Sequence, residues 1–329
     1  MGAMIGLSAI TERYRRSEQS LLNRLEISDR TLRWLFMLPS IVVLAFISIV
    51  PLVRAVWMSL HDWNLTSGKG AFVGFGNYET LLFGNPEFFR FEFDPSQPFE
   101  FVLSGSVVHQ AVYTGLSVSI EVVLGIALAM YLFSLSERWQ PIVRTIFVLP
   151  MLVTPIATAL MWRLMIDGSI GVINYMLQFV GISPPAWTSS PVMAMLTVVI
   201  VDVWQWTPLV ILIVFAGLLS IPESRYEAAR VDGAPRWAIF RHVTLPGIKY
   251  MIAIALVFRL MRSFREFPLI EIVTSHGPGT ATQIMNIQLY RTVFVGTGDA
   301  GLGAALGIVL IVVTVGICMS IVRRVGMMQ

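Results

Sequence analysis

The sequence predicts an all-α membrane protein with about six transmembrane helices. Hydrophobic residues make up 56% of the 329 residues and charged residues only 13%, which is roughly half the charged share of soluble domains. Several apolar runs reach the roughly 20 residues that an α-helix needs to cross the bilayer core. A soluble fold of this length could not bury so much apolar surface, so the bilayer is expected to cover it.

The first apolar run is interpreted as a retained span and not as a signal peptide. A long polar tail with both charge signs precedes it, and no small-residue cleavage site follows it. Pro150 and Pro155 in the third run and Pro208 in the fourth predict kinks, because proline cannot complete the helical hydrogen-bond ladder. The six predicted spans are residues 33–60, 105–134, 142–166, 191–218, 249–273 and 299–322.

The distribution of Lys and Arg predicts the orientation of the spans, since cytoplasmic loops are enriched in both residues. With both termini cytoplasmic, fifteen basic residues flank the cytoplasmic ends, whereas only Lys69, Arg90 and Arg291 lie outside. The chain then divides into a cytoplasmic tail, a first helix with its periplasmic loop, a transmembrane domain that contains a polar cytoplasmic segment (219–248), and a second tail. These four parts are residues 1–32, 33–104, 105–323 and 324–329.

The periplasmic loop is rich in aromatic residues, for which two interpretations stay open. The rings form an aromatic belt at the membrane–water boundary, or they build a small outer cap that contacts a docked partner. The aromatic residues are Phe72, Phe75, Tyr78, Phe83, Phe88, Phe89, Phe91, Phe93 and Phe99.

The 219–248 segment has the residues that begin and end two short helices. Pro222 suits the first turn of a helix, Gly233 suits the left-handed residue that ends one, and Pro235 can begin a second. The second helix is expected to end at Pro246. Two short helices joined by a tight turn have the shape of an element that fits into a groove of another subunit.

Small and charged side chains alternate on the first of these helices. Ala228 and Ala229 allow a partner to approach closely, and Glu227 and Asp232 supply charge beside them. This composition is typical of a coupling element that contacts a second protein subunit.

Charged residues inside the predicted spans indicate a functional interior, because each costs about 2.5–3.5 kcal/mol near the bilayer midplane. Glu121 lies in the second span and Asp202 in the fourth. In the fifth span, Arg259, Arg262 and Arg265 recur every three residues and so form a slowly turning stripe on one helix face. The stripe is expected to line a polar cavity.

Two interpretations of this stripe stay open. One is solute contact, and the other is a structural network in which Arg262 pairs with Glu266 four residues later. Pro268 is expected to break the helix, because its ring clashes with the carbonyl of Phe264. Gln205 and Trp206 of the fourth span are further candidates for solute contact, with helix packing as the alternative explanation.

No catalytic site, cofactor site or metal site is predicted. The phosphate-binding pattern Gly-x4-Gly-Lys-Ser/Thr is absent, since Gly70 follows Gly68-Lys69. The four histidines lack the spacing of metal ligands, and the single cysteine, Cys318, cannot form an internal disulfide. Basic residues flank the spans and form no single patch, which argues against nucleic-acid binding.

The 219–248 segment resembles the EAA loop of binding-protein-dependent ABC transporter permeases. The pattern is Glu227-Ala228-Ala229, three residues, Gly233, nine residues, Val243 at an Ile position, one residue, and Leu245-Pro246. Further matching stretches extend the resemblance over about residues 107–320. They are Trp204-Gln205-Trp206-Thr207-Pro208, Asp232-Gly233-Ala234, Phe264-Arg265-x-Phe267, Gly277-Pro278-Gly279 and Tyr290-Arg291.

The chain is similar to sugar importers of the maltose and glycerol-3-phosphate type, and within them to the first of two unlike permease subunits. The resemblance implies a MetI-like permease core in the inner membrane of a bacterium or archaeon. It implies a second, homologous permease subunit, two ATP-binding cassette ATPases that carry out hydrolysis in place of this chain, and a periplasmic or lipid-anchored solute-binding protein. The ATPase-coupling residues implied are Glu227, Ala228, Ala229, Asp232, Gly233, Leu245 and Pro246.

Three positions depart from the family pattern. Pro268 replaces a usual Asp, His276 replaces a common Gly, and Arg262 stands where an acidic residue is frequent. The added positive charge suggests an anionic sugar derivative as the solute. The rival hypotheses are an ion-coupled secondary transporter, which would need paired carboxylates or an inverted repeat, and a membrane receptor that moves no solute.

Overall fold

The structure, a computed structural model, describes residues 29–89 (side chains from residue 33), 105–275 and 277–326. Several predicted features lie outside the described residues. They are residues 1–28 of the predicted N-terminal tail, residues 90–104 of the predicted periplasmic loop with Phe91, Phe93 and Phe99, His276, and residues 327–329 of the predicted C-terminal tail. The chain divides into two compact units, residues 1–57 and 58–329.

The described residues form a helical protein with one small β-hairpin. Three five-residue π-helical turns interrupt or extend the helices, at Thr80–Gly84, Phe240–Thr244 and Arg291–Val295. The strands are β1 (His61–Asn64) and β2 (Gly68–Phe72). The helices are α1 (Asp29–Ser59), α2 (Gly76–Glu79), α3 (Ser106–Ser134), α4 (Gln140–Leu152), α5 (Pro155–Met165), α6 (Val172–Phe179), α7 (Pro191–Leu219), α8 (Glu223–Val231), α9 (Arg236–Ile239), α10 (Leu245–Ser263), α11 (Pro268–Thr274), α12 (Met285–Tyr290) and α13 (Ala300–Val325).

Five helices in the described part are long and apolar enough to cross a membrane, and a bent pair makes a sixth candidate. Four of these helices match the first, second, fourth and sixth predicted spans to within a few residues at each end. A fifth helix corresponds to the fifth predicted span but differs from it at both ends, and the bent pair corresponds to the third. The five helices are Arg33–Ser59, Ser106–Ser134, Pro191–Leu219, Arg236–Ser263 and Ala300–Val325.

The third span is bent, contrary to the prediction of one helix over 142–166. Helices α4 and α5 meet at an angle of 92°. Pro155 begins α5 and cannot donate to the preceding turn, while the Thr154 side chain caps α5 by accepting from the Ala157 N–H at 3.4 Å. The chain therefore turns through about a right angle at this point, where the sequence predicted only a kink.

The fifth span begins earlier than predicted, because the helix does not end at Pro246. Helix α9, the π-helical turn and α10 run on as one helix, Arg236–Ser263. Pro246 is the second residue of α10, and α10 directly follows the π-helical turn. A wider turn at this point accommodates the carbonyl that the proline ring would otherwise meet.

The other end of the fifth span follows the expectation from Pro268. Helix α10 ends at Ser263, and α11 begins at Pro268. Phe267 has φ −148° and separates the two helices. The predicted span 249–273 is therefore two helices, with the charged residues Arg265 and Glu266 in the non-helical connection.

The described part of the loop that is predicted to be periplasmic contains the hairpin, which the sequence did not predict. Asn64 anchors it by donating to the Thr297 carbonyl at 2.7 Å, and the Leu65 N–H donates to the Gly298 carbonyl at 2.8 Å. The hairpin is thus fixed to the residues that precede α13. Phe72, Phe75 and Phe83 remain largely exposed.

Helices α3 and α7 form the centre of the second unit. Gly125 of α3 allows the close approach, because a Cβ there would lie 2.6 Å from the Cβ of Val210 in α7. Buried Tyr113 and Val198 pack with α11 and α12 at one end of the pair, and buried Leu132 and Val214 pack with α10 at the other.

Candidate functional site

Three buried ionisable side chains from three helices meet in the interior, and we call them the ion triad. Arg259 of α10 donates through Nη2 to Glu121 of α3 at 2.7 Å and to Asp202 of α7 at 2.8 Å. Its Nε donates to the second oxygen of Glu121. All three residues are fully buried. Two carboxylates share one guanidinium, so the ionised triad has a net charge of −1.

Trp206 connects the ion triad to a second arginine. The Arg262 guanidinium carbon lies 3.8 Å from the centroid of the Trp206 ring, and that of Arg259 lies 5.7 Å away. Both distances are within the range of a cation–π interaction. Arg262 also approaches Glu266 at 3.6 Å, as the i,i+4 spacing predicted. Trp206 therefore lies between a sealed charge cluster and a half-exposed arginine.

Glu266 is held in place by the backbone that follows it. Its Oε1 accepts the N–H groups of Phe267 and Leu269, both at 3.3 Å. Phe267 immediately precedes α11, and the Leu269 N–H is the first donor of α11 because Pro268 has none; such donors are otherwise unpaired at a helix start. The proline break thus creates the site that orients this carboxylate.

A cavity of about 520 Å³ opens beside these residues, at the end of α10 and the start of α5. Of the predicted arginine stripe, only Arg262 and Arg265 line it, because Arg259 is turned into the ion triad. Trp206 lies behind Arg262. The residues that line the cavity are Pro155, Leu209, Phe258, Met261, Arg262, Arg265, Glu266 and Pro268.

Gln205 lies apart from the cavity lining, although its neighbour Trp206 contacts Arg262. Its amide nitrogen donates to the Val153 carbonyl at 2.9 Å, at the bend between α4 and α5. A carbonyl at a helix end lacks an intrahelical partner, so Gln205 satisfies it and fixes the bend to α7.

Sequence reasoning missed the partners of Arg259. The expected network was Arg262 with Glu266, a pairing that lies within one helical turn. Glu121 and Asp202 were noted only as charged residues in spans. The signal was the charge itself, since intramembrane carboxylates and guanidiniums pair with one another.

The predicted coupling residues lie together on and beside α8. Gly233 has φ +69° and ends α8, as predicted, and the chain then enters α9. Glu227 and Ala228 are exposed on α8, and Ala229 is half-buried. Glu227 has no ion-pair partner among the described residues. The N–H of Ala234 returns to the Ala229 carbonyl at 3.0 Å and closes the turn.

A shallow groove runs between α8 and the start of α10, next to exposed Leu245. Its volume is about 400 Å³. Tyr226 holds the two walls together, because its hydroxyl accepts from Thr244 at 3.4 Å and its ring lies 6.3 Å from that of Phe133 in α3. The lining residues are Arg225, Ala228, Ala229, Asp232, His242, Val243, Pro246 and Gly247.

Residues 121–325 match the family described as "Binding-protein-dependent transport system inner membrane component". The chain belongs to this family. Its members are components of a transport system in the inner membrane, which agrees with the multi-pass architecture. The prediction of an importer permease is confirmed, and the alternative of an ion-coupled secondary transporter has no support.

Within the described residues, no group of three or more His, Cys, Asp or Glu side chains could hold a metal ion.

Several named members are similar over nearly their whole length. The trehalose/maltose transport system permease protein MalF of Thermococcus litoralis is 33% identical over 90% of this chain and 94% of its own. The sulfoquinovosyl glycerol transport system permease protein SmoG of Agrobacterium fabrum is 31% identical over 87% of each chain. The trehalose transport system permease protein SugA of Mycobacterium tuberculosis is 30% identical over 86% of this chain and 85% of its own.

The fold also matches a solved structure. A chain of a bacterial ABC transporter involved in the import of the acidic polysaccharide alginate superimposes with a TM-score of 0.74. The match covers 92% of this chain and 98% of that chain at 22% identity. The predicted permease fold is therefore confirmed.

Proposed function

We propose that this chain is one of two permease subunits of an ATP-driven importer for a carbohydrate or sugar derivative. Relatives at 30–33% identity are named for trehalose, maltose and sulfoquinovosyl glycerol transport. A second, homologous permease completes the pathway, two ATPase subunits hydrolyse ATP, and a periplasmic or lipid-anchored binding protein delivers the solute. Both termini and the 219–248 segment face the cytoplasm, and lipid surrounds the spans.

The 219–248 segment is the contact with an ATPase subunit, and its geometry carries the proposal. Exposed Glu227 and Ala228 lie on a short helix whose end is fixed by Gly233. Asp232 and Pro246 line the groove beside that helix together with Ala229, and Leu245 is 37% exposed. A carboxylate without a partner on a protruding helix is suited to pair with a basic group of another subunit.

The cavity beside Arg262 is the solute-contact region of this subunit. It lies where two helices are broken, at the α4–α5 bend and at the α10–α11 connection. Broken helices at membrane depth are tolerated where they line a protein or aqueous cavity, and they are typical of binding sites in transporters. The residues proposed to act there are Trp206, Arg262, Arg265 and Glu266. Arg259 lies behind Trp206 and fixes α10 to α3 and α7 through the ion triad.

Charge reversal on α8 tests the coupling role. In the complete transporter, Glu227→Lys should abolish most solute-stimulated ATP hydrolysis and uptake, because it places a cation against the basic partner. Glu223→Lys is the matched control, since Glu223 is also exposed on α8 but lies one turn earlier. Uptake by Glu227→Lys equal to that of the wild type would contradict the coupling role.

Purification tests the assembly. Affinity capture of the tagged chain from its native membrane should bring down a second permease and an ATPase in a ratio of one chain to two ATPases. Purification as a homogeneous oligomer without any ATPase would overturn the proposal. Deletion of the chain should abolish uptake of the carbohydrate that the cognate binding protein captures, and normal uptake would favour a receptor.

A further inference from the structure

The cavity beside α10 has an unequal set of charges. Eight residues line it, of which two are arginines and one is a glutamate. The ionised lining therefore carries a net charge of +1, contributed by Arg262, Arg265 and Glu266. Its volume of about 520 Å³ falls in the usual range of small-molecule sites.

The single carboxylate of the lining is already engaged. Glu266 accepts two backbone N–H groups at 3.3 Å and contacts Arg262 at 3.6 Å. It therefore leaves little acceptor capacity for the hydroxyl groups of a solute, and it neutralises Arg262 in part. Arg265 retains its full charge.

Hydrogen-bond donors remain unpaired around the cavity. Arg265 is exposed and has no side-chain partner among the described residues. Nε of Arg262 and Nε1 of Trp206 are buried and make no hydrogen bond within the described residues. The exposed donors of Arg265, beside a carboxylate that is already engaged, are complementary to a ligand rich in acceptors.

The other carboxylates near these arginines are out of reach of a solute. Glu121, Asp202 and Arg259 are fully buried, and Trp206 lies between Arg259 and Arg262. Glu266 is therefore the one carboxylate among the residues that line the cavity. The two arginines of the lining face the cavity without a second carboxylate beside them.

We infer that the transported carbohydrate carries an anionic group, and that Arg265, assisted by Arg262, binds this group. The inference rests on the proposed function and adds the charge of the substrate to it. A guanidinium offers two parallel N–H donors to a carboxylate, sulfonate or phosphate. The Arg262 guanidinium carbon lies 3.8 Å from the centroid of the Trp206 ring, and this cation–π contact limits the movement of the Arg262 side chain before the solute arrives.

The experiment measures uptake by the complete transporter with its binding protein. The probes are methyl glucoside and three anionic counterparts: methyl glucuronide, methyl 6-deoxy-6-sulfoglucoside and glucose 6-phosphate. At least one anionic probe should be taken up faster than methyl glucoside. Arg265→Gln should lower uptake of that probe about tenfold or more, since the ion pair with the solute is lost, and should lower methyl glucoside uptake by a clearly smaller factor, because that solute has no charge to pair with Arg265.

Two variants serve as controls. Arg265→Lys keeps the charge and should retain more anionic uptake than Arg265→Gln. Arg324→Gln removes another exposed arginine, at the end of α13, and should change neither uptake. Preference of the wild type for methyl glucoside over all anionic probes would overturn the inference and leave the proposed function intact.

Equal loss of both uptakes in Arg265→Gln would also overturn the inference, because it would indicate that Arg265 pairs with the second permease. The proposed function fails separately, if the transporter moves neither the probes nor any carbohydrate that the binding protein captures.

Discussion

The guanidinium of Arg259 and the carboxylate of Glu121 face each other side-on, with two N–H groups directed at two oxygens. The pair joins α10 to α3, and Asp202 of α7 adds a third helix. A geometry of this kind is typical of a strong, orientation-specific ion pair. It fixes the rotation of α10 and thereby determines which side chains of that helix face the cavity.

Removing the cation of the ion triad should destabilise the protein. Arg259→Met leaves two buried carboxylates without a counter-charge, a change that costs about 3–5 kcal/mol in comparable sites. The purified transporter should melt at a clearly lower temperature or fail to accumulate in the membrane. The triple variant Arg259→Met, Glu121→Leu, Asp202→Leu should recover much of this loss, because no unpaired charge remains. A single variant as stable as the wild type would contradict the triad.

The contact between α3 and α7 should tolerate no side chain at Gly125. Gly125→Ala should destabilise by about 1–3 kcal/mol, because the new Cβ overlaps Val210. Val210→Ala in the same chain should restore part of the stability. Gly115→Ala is the control on the same helix, since no atom lies within 4 Å of its Cβ position. Melting temperatures of the wild type and the three variants measure the effect, and equal values for Gly125→Ala and Gly115→Ala would refute it.

The turn between α8 and α9 requires a residue that accepts a positive φ. Gly233→Val should impair coupling between ATP hydrolysis and uptake, because a β-branched residue at φ +69° costs about 1–2 kcal/mol of backbone strain. Gly233→Asn should retain more activity, since asparagine tolerates this conformation. No atom lies within 4 Å of the Cβ position, so a clash cannot explain a difference. Activity in the order Val above Asn would disprove the backbone argument.

The orientation of the chain can be read from chemical labelling. Cys318 is the only cysteine, so Cys318→Ser provides a background without thiols. A cysteine in place of Ser224, exposed on α8, should react with an impermeant maleimide only from the cytoplasmic side. A cysteine in place of Ser67, exposed in the hairpin turn, should react only from outside. Reversed accessibility would invert the proposed topology.

The sequence predicts the spans well where one apolar run makes one helix, as in α3 and α7. It also predicts Gly233 and the α10–α11 break, because glycine and proline act on the backbone locally. The ion triad was not predicted, since its members lie 138 and 57 positions apart and no local rule pairs them. The 92° bend at α5 is larger than the expected kink, and the amide of Gln205 in α7 donates to the Val153 carbonyl at this bend, a tertiary contact that no local rule predicts.

The continuity of α9 with α10 has a mechanical consequence. The helix Arg236–Ser263 has 28 residues and is therefore about 42 Å long. One end stands beside the groove next to α8, and the other ends at the residues that line the cavity. A tilt of about 10° at one end displaces the other by about 7 Å in a rod of this length. This helix can therefore work as a stiff lever arm, whose small rotation at one membrane surface becomes a side-chain-sized stroke deep in the bilayer.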